Sequence, residues 1–155
     1  MLNGGSVGIG TTSPKANLDV NDDLRVNRYH KNVFSYYTLA SASNQYFHIK
    51  TGVGTNQVCM HMYHVEGYAY DPSAILDERF GFHTDSGGSI YRKSYKGTYA
   101  NNIYKSSDNK VVLVFGPIDT YYTSFMVHLI ESGMYTELFV KPTAATYSSS
   151  NSGAY

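Results

Sequence analysis

Apolar and polar residues alternate with a period of two along most of this chain, and turn residues cut the runs every 8–12 positions or so. Successive side chains of a strand point to opposite faces, so such runs fit short half-buried strands and not helices. They occupy residues 33–39, 45–50, 57–70, 80–84, 89–93, 94–99, 110–115, 121–131 and 134–141. Short strands at this spacing signal a sandwich or barrel. The expectation is an all-β fold with an antiparallel, jelly-roll-like β-sandwich as its main body. No repeat of fixed period points to a propeller or solenoid. Residues 72–79 are the single stretch that admits a helix, and two turns would be marginal alone.

The pattern also proposes a core: Phe34, Phe47, Ile49, Val58, Met60, Met62, Val112, Val114, Phe125, Val127, Leu129, Leu138 and Val140. Residues 57–70 are apolar or aromatic on both faces, as in a central strand covered twice. Glu66-Gly67 is expected to bend or bulge that strand. Gly116-Pro117 should break the run that precedes it, and Asn101-Asn102 reads as a turn. The Ser, Thr, Ala and Asn of residues 142–155 read as a polar C-terminal tail.

The chain has 155 residues, enough for a self-sufficient core. Twelve basic and twelve acidic residues cancel and are scattered, so no nucleic-acid footprint is expected. No run approaches the apolar length of a spanning helix, so no membrane insertion is expected. The N-terminus lacks the charged and apolar regions of a secretory signal. The lone cysteine, Cys59, reads as a small buried hydrophobe. The compositional excess is tyrosine, sixteen residues against no tryptophan. Tyrosine suits strands and recognition surfaces alike.

The N-terminal stretch differs from the rest. In Gly5-Ser-Val-Gly-Ile-Gly-Thr-Thr-Ser-Pro14, Val7 and Ile9 alternate with Gly8 and Gly10, and Leu18 and Val20 resume the alternation after the proline. Glycine within a strand permits close approach of another backbone. The segment resembles the "VGIGTTSP…L-V" string of bacteriophage tail fibres and related virus-like adhesins, where a thin trimeric shaft meets a globular tip. Shorter blocks in the body also resemble terminal domains of tail-fibre proteins: Tyr46–Lys50, Val65–Tyr70, Val112–Pro117 and Tyr121–Phe125.

The resemblance implies a short trimeric stalk segment over residues 1–32, a β-sandwich head over 33–141 and the tail over 142–155. It implies a virion component: a piece of a longer fibre, joined to an upstream shaft and working outside the cell at the host surface. The expected partners are two further copies of the chain, in a homotrimer with Val7, Ile9, Leu18 and Val20 at the trimerisation surface, and a host cell-surface glycan or protein. Carbohydrate binding and host adhesion without catalysis are the implied activity. A fibre tip that hydrolyses a surface glycan, and a purely structural fibre, are the alternatives.

His61 and His64 point to opposite faces of a strand and cannot share one ion without a bulge, so no metal or other cofactor is expected. No Gly-x-Ser-x-Gly elbow is present. Asp71, Asp77, Glu78 and Asp85 supply carboxylates of the kind glycoside cleavage needs, but turn positions explain them as well. Asp85-Ser-Gly-Gly88 and Asp119-Thr120 lack the regular calcium-loop pattern. The remaining constellation is aromatic: Tyr68, Tyr70, Asp71, Tyr91, Tyr95, Tyr99, Tyr104, Asp119, Tyr121 and Tyr122 lie in or beside turn-rich segments and form the candidate receptor-binding set. That set is expected on loops remote from the stalk.

Overall fold

A computed structural model describes residues 2–3, 5–22, 24–27, 29–131 and 141–155. Among these residues every regular element is a strand. The strands are β1 (Leu2–Asn3), β2 (Ser6–Ile9), β3 (Leu18–Val20), β4 (Leu24–Val26), β5 (Tyr29–Thr38), β6 (Gln45–Gly54), β7 (Cys59–Ala69), β8 (Ala74–Thr84), β9 (Ile90–Lys96), β10 (Ala100–Lys105), β11 (Lys110–Ile118), β12 (Thr123–Glu131) and β13 (Pro142–Ser148). A small sheet of order β1-β2-β3 precedes two larger antiparallel sheets, of order β10-β11-β6-β13 and β4-β5-β12-β7-β8-β9.

The two larger sheets form the expected sandwich. Phe47, Ile49 and Val53 of β6 with Leu113 and Phe115 of β11 meet Phe125, Val127 and Leu129 of β12, Tyr63 and Val65 of β7, and Leu76, Phe80 and Phe82 of β8. Phe47 stacks on Phe115 with centroids 5.2 Å apart, and both stand nearly perpendicular to Phe125, at 5.8 and 5.1 Å. Such offset and edge-on geometries are the favoured ones for aromatic pairs. The chain crosses between sheets at β5–β6–β7, at β9–β10 and at β11–β12–β13, and keeps β8 and β9 beside β7.

Several expectations need correction. Residues 72–79 are not helical: β8 begins at Ala74, and Leu76, Glu78, Phe80 and Phe82 alternate inward with Ile75, Asp77 and Arg79 outward. Val58, Met60 and Met62 face outward; the buried side of β7 carries Cys59, His61, Tyr63 and Val65. The strand is central in its sheet, but only one of its faces is covered among the described residues. Phe34, opposite Val127, packs half-buried against the core as expected, and Val33 beside it is buried as well, next to a register shift between β5 and β12. Leu138 and Val140, and with them most of the strand expected over 134–141, lie outside the described residues.

Gly67 does not bulge β7, whose pairing with β12 and β8 is unbroken. A Cβ at Gly67 would collide with the Ser124 carbonyl oxygen, so glycine is required there by close approach. The runs at 89–93 and 94–99 are one strand, β9, followed by a turn, and Asn101-Asn102 sits inside β10. β11 continues through Gly116-Pro117 to Ile118 with a register shift against β6.

The C-terminal residues are not a free tail. β13 pairs with β6, so residues 142–148 form an edge of the four-stranded sheet. Backbone pairing makes no demand for apolar side chains, which is why a Ser/Thr/Ala-rich segment can serve. Residues beyond it cross the outer face of that sheet. His48 Nε2 donates to the Ser150 carbonyl at 2.9 Å, Tyr104 hydroxyl donates to His48 Nδ1 at 3.2 Å, and the Ala154 amide donates to the Tyr104 oxygen at 3.1 Å. Val112 and Val114 are buried as expected, but on this outer side and not in the interior.

β4 pairs with β5, so the six-stranded sheet begins at Leu24, within the segment expected as stalk, and residues 29–32 open β5. In the small sheet β2 and β3 run parallel, with Val7 opposite Leu18 and Ile9 opposite Val20. The close approach that Gly8 permits is taken by the chain itself: a Cβ there would meet the Thr11 carbonyl oxygen at 2.6 Å. Val7, Ile9 and Leu18 remain exposed.

Candidate functional site

Strand register defines two ends of the sandwich. Tyr29, Met62 and Ile130 share one end with the entry of β4, and Asp22 pairs with Lys141 there at 3.3 Å. The loops 55–58, 85–89 and 106–109 close this proximal end. Loops 39–44, 70–73 and 119–122 close the distal end, away from the N-terminal sheet.

The distal loops are tied together through backbone groups. Thr120 N–H donates to the Ala42 carbonyl at 3.0 Å, Ala42 N–H donates to Thr120 Oγ1 at 3.0 Å, and Thr120 Oγ1 donates to the Ala40 carbonyl at 2.8 Å. Asp119 Oδ1 accepts from the Asn44 amide at 2.9 Å. In loop 70–73, Ser73 N–H closes on the Tyr70 carbonyl at 2.8 Å. This framework places three tyrosines from two loops in mutual contact. Tyr121 and Tyr122 have ring centroids 4.4 Å apart, and Tyr70 lies 5.9 Å from each, all three near edge-on. The hydrogen bond to Tyr122, and then the proximity of its hydroxyl, raise the Tyr121 phenol above its ordinary range.

The three rings are exposed, which for contacting aromatics leaves ring faces open to solvent. Ring faces of this kind can stack on the apolar C–H face of a sugar or cover a protein side chain, while the exposed Asp71 and Asn44 offer hydrogen-bonding groups beside them.

Of the ten residues expected in a receptor-binding set, Tyr70, Asp71, Asp119, Tyr121 and Tyr122 meet at the distal end. Tyr68 lies one cross-strand row below them on the outer face of the six-stranded sheet. Tyr91 and Tyr95 are exposed on the edge strand β9, and Tyr95 also packs edge-on against Phe80 at 6.4 Å. Tyr99 packs against the core and Tyr104 carries the hydrogen bonds to His48 and Ala154. Those four are not part of the distal cluster. The sequence reading missed Tyr37, Leu39 and Ile75. Tyr37 and Ile75 are 74% and 79% exposed and share a row with Ser124 and Tyr68 that spans three strand spacings, about 14 Å. Nothing in the sequence marked that row as uncovered.

The other candidate chemistry is dispersed. His61 and His64 face opposite sides of β7, as strand geometry requires. His61 is 3% exposed and lies beside the stacked rings of Tyr63 and Phe82, and burial lowers its pKa to about 4. His64 Nε2 meets Asp77 Oδ1 at 2.7 Å on the outer face, and this hydrogen bond, ahead of Arg79, holds the Asp77 carboxyl below its usual range. His128 Nδ1 accepts from the Asn32 amide at 2.8 Å, which puts its proton on Nε2, 3.0 Å from Glu66 Oε1. Glu78 faces the interior, where Oε2 accepts the amides of Tyr99 and Ala100, and burial raises its pKa against those bonds. Asp77 and Glu78 therefore sit on opposite faces of β8. Asp85 Oδ1 accepts from the Gly87 amide at 3.0 Å within its own turn. Among the described residues no cluster of three His, Cys, Asp or Glu side chains is placed to hold a metal ion.

Comparison with protein-family models, with curated proteins and with solved structures gives no match to this chain.

Proposed function

We propose that this chain is the receptor-binding head of a homotrimeric viral tail fibre, which adheres to a host cell-surface glycan or protein without chemical turnover. The observation that carries the reading is polarity. The thin N-terminal sheet, with Val7, Ile9 and Leu18 exposed, enters at one end, and the cluster of Tyr70, Tyr121 and Tyr122 stands at the other. A shaft at the proximal end would present the tyrosines outward to the host. The string "VGIGTTSP" supports the same assignment by its resemblance to fibre stalks. Three copies would present three identical patches on one fibre, and multivalency turns weak single-site affinity into firm attachment.

The test is binding of the fluorescently labelled protein to a panel of bacterial strains. Tyr70→Ala, Tyr121→Ala and Tyr122→Ala, combined, should abolish binding to a strain that the parent protein labels, with an unchanged melting curve. Undiminished binding by the triple variant refutes the tyrosine patch. Release of reducing ends from the strain's polysaccharide would overturn the non-catalytic reading.

A further inference from the structure

The proximal end carries a second cleft of different character. Three loops close around about 540 Å³ of open space lined by Thr55, Asn56, Ser86, Lys105, Asn109 and Lys110, with Asp108 and the backbone of Gly54, Gly87 and Gly88. That volume is within the usual range for small-molecule sites. No aromatic or aliphatic side chain lines it, so an apolar side chain or a nucleotide base would find no wall to pack on.

The loops are held before any ligand arrives. Thr55 N–H donates to the Asn109 carbonyl at 3.0 Å and joins two of them. Gln57 folds back on Gly54, its amide on the Gly54 carbonyl and its Oε1 on the Gly54 amide. Asn109 N–H closes on the Ser106 carbonyl at 3.0 Å, with Asn109 in the left-handed region at φ 61°. In the third loop Asp85 accepts the amides of both Gly87 and Gly88. Fixed loops lower the entropy lost on binding.

The charge balance of the cleft is one-sided. Asp108 is occupied on both sides, by Lys50 at 2.7 Å and by the Ser106 hydroxyl at 2.6 Å. Lys105 is exposed and has no ion pair among the described residues. Lys110 reaches only the Gly52 carbonyl, at 3.2 Å. Lys105 and Lys110 thus both line the cleft, the one carboxylate in its lining, Asp108, is already engaged, and Asn56, Asn109 and Ser86 complete the polar wall.

We infer that this cleft binds an anionic saccharide, its acidic group on Lys105 and Lys110 and its hydroxyls on Asn56, Ser86 and Asn109. The site is separate from the distal tyrosines and does not depend on the fibre reading. The acidic group can be a uronate carboxylate or a sugar phosphate, since both offer an oxyanion to an ammonium donor.

The experiment is titration of the isotope-labelled full chain, followed by backbone amide shifts, with a uronate oligosaccharide, a sugar phosphate and a neutral oligosaccharide of matched length. Shifts confined to residues 54–57, 86–88 and 105–110 with the acidic probes, and none with the neutral one, are expected. Which acidic probe binds tighter identifies the source of the anion. Lys105→Ala should weaken binding about tenfold or more, and Lys105→Arg should retain most of it. Equal response to the neutral sugar, shifts mapping elsewhere, or an unchanged affinity in Lys105→Ala would overturn the assignment.

Discussion

Phe125→Ala offers the sharpest test of how the two sheets are joined. Phe125 is 2% exposed and its ring touches Tyr36 of its own sheet, at 5.3 Å, and Phe47 and Phe115 of the facing one. Removing a buried ring forfeits its transfer free energy and leaves a cavity that rigid neighbours close only in part, about 3–5 kcal/mol together. Phe47 and Phe115 are stacked on each other and fixed in β-ladders, so collapse into the hole should be small and the upper half of that range applies. A domain of this size has a total stability of about 5–15 kcal/mol, and each kcal/mol shifts Tm by about 2–4 °C, so a loss of about 4–5 kcal/mol should lower Tm by roughly 8–20 °C. Urea unfolding checks it: the midpoint should drop with the slope m unchanged. The control is Met126→Ala one residue on, where the side chain is 40% exposed on the opposite face and the expected loss is under about 1 kcal/mol. Similar losses for the two variants would refute the facing of β12.

Three further outcomes follow from particular positions. Gly67→Ala should destabilise by about 1–3 kcal/mol in thermal unfolding, since the added methyl meets the Ser124 carbonyl and the Phe125 backbone; an unchanged Tm would mean that β7 and β12 are further apart than described. The native pKa of His61 lies below the unfolded value near 6.5, so the unfolded state takes up its proton first and stability falls as pH drops from about 6.5 to about 4, by up to about 3 kcal/mol; His61→Phe should flatten that limb, leaving the smaller share of His48, whose pKa burial also lowers, and an unaltered pH profile would exclude the mechanism. Ile9 is 56% exposed in the single chain, so Ile9→Asp should leave the melting curve of a monomer alone but prevent a trimer by burying three charges; light scattering near three times the 17.2 kDa chain mass for the variant as for the parent would remove Ile9 from any trimer contact.

Alternation made most strands legible, and its failures have physical causes. In β8 the inner row is Leu76, Glu78, Phe80 and Phe82, and the carboxylate in that row disguised a period of two as a short amphipathic helix. Glu78 is tolerated inside because it accepts the amides of Tyr99 and Ala100 where the chain turns from β9 to β10. In β7 both rows are apolar or aromatic, so no pattern within the strand could choose between Met60 and Met62 on one side and Tyr63 and Val65 on the other. The choice is made by what covers the sheet, which is a property of the whole topology. β13 was invisible for a different reason: it joins the sheet through backbone groups that every residue but proline carries in full.

Tyrosine abundance pointed to strands and surfaces without dividing the residues between them, and the fold shows why composition could not. Tyr63 is fully buried, and burial drives its phenol far above the ordinary range. Tyr36, Tyr99 and Tyr147 lie at the margin of the core with their rings inward. Tyr104 is half-buried as a hydrogen-bond relay, and Tyr155 covers the same face with its phenol pushed up to about 12, burial being the main cause. Tyr70, Tyr121 and Tyr122 pack mainly on one another, at loop tips where nothing else competes for their faces. A phenol suits all of these sites because its ring is apolar and its hydroxyl needs only one partner or water. Composition counts all of these tyrosines alike, and the pairing of distant strands is what separates them. Loops 70–73 and 119–122 become neighbours because β7 and β12 are adjacent in the six-stranded sheet, with Thr123 opposite Ala69. The distal cluster is therefore a consequence of strand order: break the β7–β12 ladder and the three rings lose their common surface, while the same residues remain in the same sequence.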